Sequence, residues 1–73
     1  MPLTLLTLRQ ESDAHTVERC DEGFLIVRKA DAGNAFADLA RRVLNEAGET
    51  YAAFPRVDGH GGYESVLIVP IDA

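Results

Sequence analysis

Apolar side chains recur with helical spacing between Asp31 and Gly48, DAGNAFADLARRVLNEAG. Phe36, Leu39, Ala40, Val43, Leu44 and Ala47 fall at i, i+3, i+4, i+7, i+8 and i+11, one stripe of a helix with a 3.6-residue period. Asp31 or Asn34 is placed to cap its first amides, and Gly48 stands just past its end. The outer face carries Asp38, Arg41, Arg42, Asn45 and Glu46, where Asp38 with Arg42 and Arg42 with Glu46 make i,i+4 pairs of a solvated surface.

Elsewhere the pattern shortens to strand length. Leu3 to Gln10, LTLLTLRQ, predicts a first strand, although Leu3 and Leu5 alternate to one side and Leu6 and Leu8 to the other. His15 to Cys20 alternates as a second strand, and Asp21, Glu22 and Gly23 form a turn in which Gly23 is expected to take the left-handed conformation of a bulged hairpin. Phe24 to Lys29 follows as a third strand, with Phe24 to Val27 apolar on both faces, as in a centrally placed strand. Beyond the helix, Thr50 to Val57 predicts a strand that Pro55 confines to an edge or a bulge. Asp58 to Gly62, DGHGG, reads as a mobile loop, and Tyr63 to Ile71 as a last strand whose Val66 to Val69 is again apolar on both sides.

The expected fold is therefore α+β: one domain over residues 1–73, a small antiparallel sheet of four to five strands in the order βββαββ, with one amphipathic helix packed on one face. A single helix covers one face of the sheet, yet FLIV and VLIV present apolar side chains to both. That imbalance predicts association with another surface.

Charge narrows the partner. The 73 residues carry a net charge of −5 with no block of either sign, which argues against direct contact with a nucleic-acid backbone, where clustered Lys and Arg are needed. One cysteine, Cys20, cannot close an internal disulfide and suits a reducing cytoplasm. The opening MPLTLLTLRQ has no basic n-region and too few apolar residues for a membrane span, so the expected location is the cytoplasm of a bacterial host, with no membrane partner.

Catalytic chemistry finds little support. Neither a nucleophile elbow nor a phosphate-binding glycine loop occurs. One cysteine and two histidines, His15 and His60, fall short of a zinc ligand set, and Cys20 stands beside two anions, Asp21 and Glu22. No catalytic, cofactor-binding or metal-binding residue is assigned, and the chain is read as a non-enzyme. The DGHGG loop is the stretch most like a site, since its glycines allow close approach and His60 supplies an acid, base or ligand. Gly59 and His60, with Val69 and Pro70 in a following strand, resemble the small interferase toxins with a double-stranded-RNA-binding fold, which implies RNA cleavage through His60. The chain departs from those toxins in its acidity and in the three strands it places before the helix.

In size, acidity and strand-helix-strand order the whole chain is similar to the small phage-encoded anti-CRISPR proteins, a group without a shared motif. That resemblance implies an inhibitor that docks to a bacterial defence complex. Glu11, Asp13, Glu18, Asp21 and Glu22 would then face basic side chains of the target, and Arg41 and Arg42 supply further contacts. Tyr51, Tyr63 and Arg56 are of residue types that anchor interfaces. The expected partner is another protein or protein complex, or a second copy in a homodimer formed through the sheet; for a homodimer, whichever of Leu25, Ile26 and Val27 faces outward should lie at the contact.

Overall fold

The computed structural model describes residues 4–71. Its elements are α1 (Leu5–Leu8), β1 (His15–Arg19), β2 (Phe24–Arg28), α2 (Asn34–Glu46), β3 (Tyr51–Val57) and β4 (Tyr63–Pro70). The four strands form one sheet in the order β1-β2-β4-β3, every neighbouring pair antiparallel. The α+β class, the antiparallel sheet and the packed amphipathic helix agree with the sequence pattern. FLIV and VLIV are indeed the two central strands.

The first element differs. The expected strand from Leu3 to Gln10 is a helical turn over the described part of that stretch, Leu3 itself lying outside the described residues. Thr4 caps the turn by accepting from the Thr7 amide at 3.0 Å. A strand would have split the leucines between two faces, whereas a helix brings Leu5 and Leu8 to one side at i,i+3 spacing. Leu8 enters the core and Leu5 packs against it, while Leu6 is left outside.

His15 fixes this turn to the sheet. Its ring is buried, with Nε2 against the Leu8 carbonyl at 3.2 Å and Nδ1 against the Ser12 hydroxyl at 2.8 Å. The carbonyl can only accept, so Nε2 carries a proton, and in the neutral ring Nδ1 accepts from the Ser12 hydroxyl. Arg9, one residue past the turn, lies over the Phe24 ring at 5.2 Å. Thus α1 covers β1 and β2 while α2 covers β3 and β4, both on the same side.

In α2 the predicted stripe is the buried one. Phe36, Ala40 and Val43 are fully enclosed, and Leu39 and Ala47 pack at the margin. Neither Asp31 nor Asn34 caps it: the N-cap is Gly33 at φ 60°, without a side-chain bond, and the Ala35 amide instead reaches the Ala32 carbonyl at 3.1 Å. On the outer face Arg42 pairs with Glu46 as expected, but Asp38 pairs with Arg41 rather than Arg42.

The end of α2 is closed by Tyr51. The Ala47 amide turns back to the Leu44 carbonyl, and the Tyr51 hydroxyl donates to the Val43 carbonyl at 2.7 Å, satisfying one of the acceptors a helix end leaves free. Tyr51 is therefore a core residue, not the exposed anchor its type suggested. Burial first, and then the charge of Glu46, push its phenol above its ordinary value. A folded-state value above the unfolded one gives stability that is complete below about pH 10 and is lost as pH rises through the folded value. Replacing Tyr51 by Phe is expected to cost about 1–3 kcal/mol at neutral pH, by stranding a buried acceptor. It should also flatten the loss of stability that the wild type shows above about pH 10. Urea titrations on either side of that pH check both, and equal alkaline losses in the two proteins would refute the assignment.

Both sheet edges are blunted. Lys29 donates to the Ala14 carbonyl at 3.1 Å, and Cys20 and Gly23 exchange bonds across the turn, so antiparallel alternation directs the Val17 amide outward. There it meets Glu11 Oε2 at 3.4 Å, and the neighbouring His15 carbonyl accepts from the Ser12 amide at 3.0 Å. On the other edge, Ile71 donates to the Thr50 carbonyl at 2.9 Å, and the same alternation turns the Pro55 nitrogen to the free side, where no ladder bond is lost. The expectation that Pro55 lies at an edge holds, with a register shift following between Arg56 and Val57.

Candidate docking surface

Cross-strand partners share a face, so the registers sort the sheet into two sides. Phe24, Ile26, Tyr51, Val66 and Ile68 point under the helices and are buried. Their neighbours point the other way, where none of the described helices lies. One row across that open side reads Glu18, Leu25, Leu67, Phe54, and the next reads Thr16, Val27, Ser65, Arg56. Val69 and Ala52 extend the apolar area along β4 and β3.

Of the three β2 residues offered as outward contacts, Leu25 and Val27 are half-buried on this side, and Ile26 is fully inside. Phe54 is the most prominent member, 55% exposed. A groove of about 340 Å³ runs between Leu25, Leu67, Phe54, Ser65 and Arg56, with Cys20 at its end. A second hollow, about 360 Å³, lies on the helix side of the hairpin between Arg9, Arg19 and Phe24. Its floor is already occupied by the Arg9 stack on Phe24.

The sequence-predicted contacts divide between two places. Glu11, Asp13, Glu18, Asp21 and Glu22 are all exposed and gather along β1, the segment before it and the turn after it. Glu18 alone stands in an open-face row, and Glu11 also serves the β1 edge. Arg41 and Arg42 sit on the outer face of α2, on the other side of the sheet, each held by an intrahelical carboxylate. The acids and these arginines therefore do not form one site. Leu67, Phe54 and Val69 were not singled out in the sequence as contacts. Alternation from buried Tyr51 and Ile68 is the signal that places them outside.

The DGHGG loop is organised rather than slack. Asp58 Oδ1 accepts from the His60 and Gly62 amides at 2.7 and 3.1 Å, its Oδ2 meets Arg28 at 3.1 Å, and its own amide donates to the Gly62 carbonyl at 3.0 Å. The amide bonds of His60 and then Gly62 hold the Asp58 carboxyl below its ordinary value, with Arg28 adding to this. Gly59 and Gly61 both take φ 87°, which the tight wrap around the carboxylate requires. The Asp58 carboxylate is thus engaged by the loop and by β2. Among the described residues no carboxylate bonds the exposed His60 ring, and no group of three or more metal-ligating side chains comes together. No described helix is long and apolar enough to cross a membrane.

Compared with known proteins, the chain matches no family model, no curated protein and no solved structure. The open face and its flanking charges are the features from which function must be argued.

Proposed function

We propose that the chain is a non-catalytic protein-docking module whose working surface is the open side of the sheet. The observation that carries this reading is the continuous apolar area of Leu25, Val27, Leu67, Val69, Ala52 and Phe54 opposite the face on which both helices pack. A sheet edge is the weaker surface, because Glu11 and Ser12 engage one free edge and Pro55 interrupts the other. The exposed Phe54 supplies an aromatic anchor at the margin of the apolar area, and polar Glu18, Thr16 and Arg56 supply a rim. Docking of this kind is the mode of action implied by the resemblance to anti-CRISPR inhibitors, and the cytoplasm of a bacterial cell is the setting proposed for it.

A photo-crosslinking side chain at position 54 tests the reading in the native host cell. A discrete protein adduct is expected from position 54 and none from position 41 on the outer face of α2. Absence of any adduct from 54, or equal adducts from both, would overturn it.

A further inference from the structure

Resting on that docking reading, we propose that the protein seated on the open face is a second copy of this chain, related by a two-fold axis parallel to the strands. The argument is the placement of charge. The two open-side rows carry one acid, Glu18, on edge strand β1, and one base, Arg56, on the opposite edge strand β3, with Leu25 and Leu67 between the edges in one row and Val27 and Ser65 in the other. Neither has an ion-pair partner among the described residues.

An isologous interface must be complementary to itself. Turning the sheet about an axis along its strands lays β1 of one copy over β3 of the other. Glu18 then comes over the Phe54 row, one row from Arg56 of the second copy, roughly 7 Å along the strand and within the span of the two long side chains. The arrangement occurs twice by symmetry. The alternative axis, across the strands, stacks β1 on β1 and β3 on β3, bringing the two Glu18 side chains together at one edge and the two Arg56 side chains together at the other, which like-charge repulsion disfavours. Placing opposite charges at opposite edges of an apolar strip is what the first axis needs, and a heterologous partner imposes no such antisymmetry.

Four strands about 4.8 Å apart and some five residues long give a contact on the order of 320 Å² per copy, the size of a weak, transient contact. The dimer is therefore expected to be reversible, with a dissociation constant in the micromolar range.

Sedimentation equilibrium from roughly 1 µM to roughly 1 mM, concentrations that bracket such an affinity, should show the full chain passing from monomer to dimer. Glu18→Arg and Arg56→Glu are each expected to weaken the dimer at least tenfold, and the double variant to return it to within about threefold of wild type, because the ion pairs are re-formed with reversed sign. Phe54→Ser, at an exposed position, should give monomers with an unchanged circular dichroism spectrum. A wild type that stays monomeric, single charge variants that dimerise normally, or a double variant that fails to recover while remaining folded would each overturn the second-copy inference. A monomer that still gives a heterologous adduct from position 54 leaves the docking reading standing without it. A monomer with no adduct removes both.

Discussion

Phe36→Ala is expected to leave most of the chain unfolded at 25 °C. Phe36 is the largest fully buried side chain, at 0% exposure, and α2 sets it among the core residues Ala40, Val43, Ile26, Val66 and Ile68. Truncating a buried phenylalanine to alanine costs about 3–5 kcal/mol, from lost transfer energy and the cavity left behind. A single core in a domain of about 70–80 residues rarely supplies more than about 3–5 kcal/mol in total. The two quantities match, so the loss removes the folded state instead of merely weakening it. Phe36→Leu keeps most of the volume and should remain folded, within roughly 1.5 kcal/mol of wild type. Far-ultraviolet circular dichroism with a urea titration checks both variants. A cooperative transition for Phe36→Ala within about 1 kcal/mol of wild type would show that α2 is not the centre of the core.

That α2 could be read before the structure, and α1 could not, has a physical cause. Six apolar positions over three turns make a stripe that no strand alternation reproduces, so Phe36, Ala40 and Val43 reach the core as their spacing requires. Leu5, Leu6 and Leu8 form a run too short for period alone to decide. What settles its conformation is tertiary: the buried His15 ring reaches the Leu8 carbonyl, seven residues away. The bond from Tyr51 to Val43 is similarly silent in the sequence, since it depends on which strand meets the end of α2.

The open face was half legible. Two apolar runs, FLIV and VLIV, announce central strands that offer side chains to both sides, and one helix cannot cover both. The identity of the outward members depends on register. It fixes Leu25 and Val27 outside and Ile26 inside, and it sets Leu67 beside Phe54 across the β3–β4 pair. Glu11, Asp13, Glu18, Asp21 and Glu22 lie close together in space because β1, the segment before it and its turn are consecutive in sequence. Arg41 and Arg42 were not part of that group, because a helix on the covered side carries them away from the open face.

Gly23→Ala is the second substitution with a large expected effect, and its mechanism differs from the one the sequence suggested. The turn is a two-residue connection, Asp21 and Glu22, flanked by mutual bonds between Cys20 and Gly23 at 3.0 and 3.3 Å. Gly23 is not among the positive-φ glycines, so a left-handed backbone is not what it provides. It provides proximity. A Cβ at this position would lie 2.1 Å from the Ile68 carbonyl oxygen and 3.1 Å from Pro70 Cδ. The obstructing atom belongs to the backbone of the central strand β4 and cannot rotate aside. Relief requires the end of the hairpin to separate from β4 next to the Phe24–Ile68 pair, both members of which are core residues. Overpacking of this kind costs typically 1–3 kcal/mol and occasionally more, and a backbone obstacle places the expected loss near the upper end. For a domain of this size a loss of about 2 kcal/mol lowers the melting temperature by roughly 8–16 °C. Glu22→Ala, the adjacent exposed turn residue, is the control and should stay within about 0.5 kcal/mol of wild type. Thermal melts of the two variants side by side decide the matter. Equal midpoints would mean that the hairpin end yields freely and that Gly23 is an ordinary turn residue, whereas a large gap would show that the strand order β1-β2-β4-β3 depends on this one missing side chain.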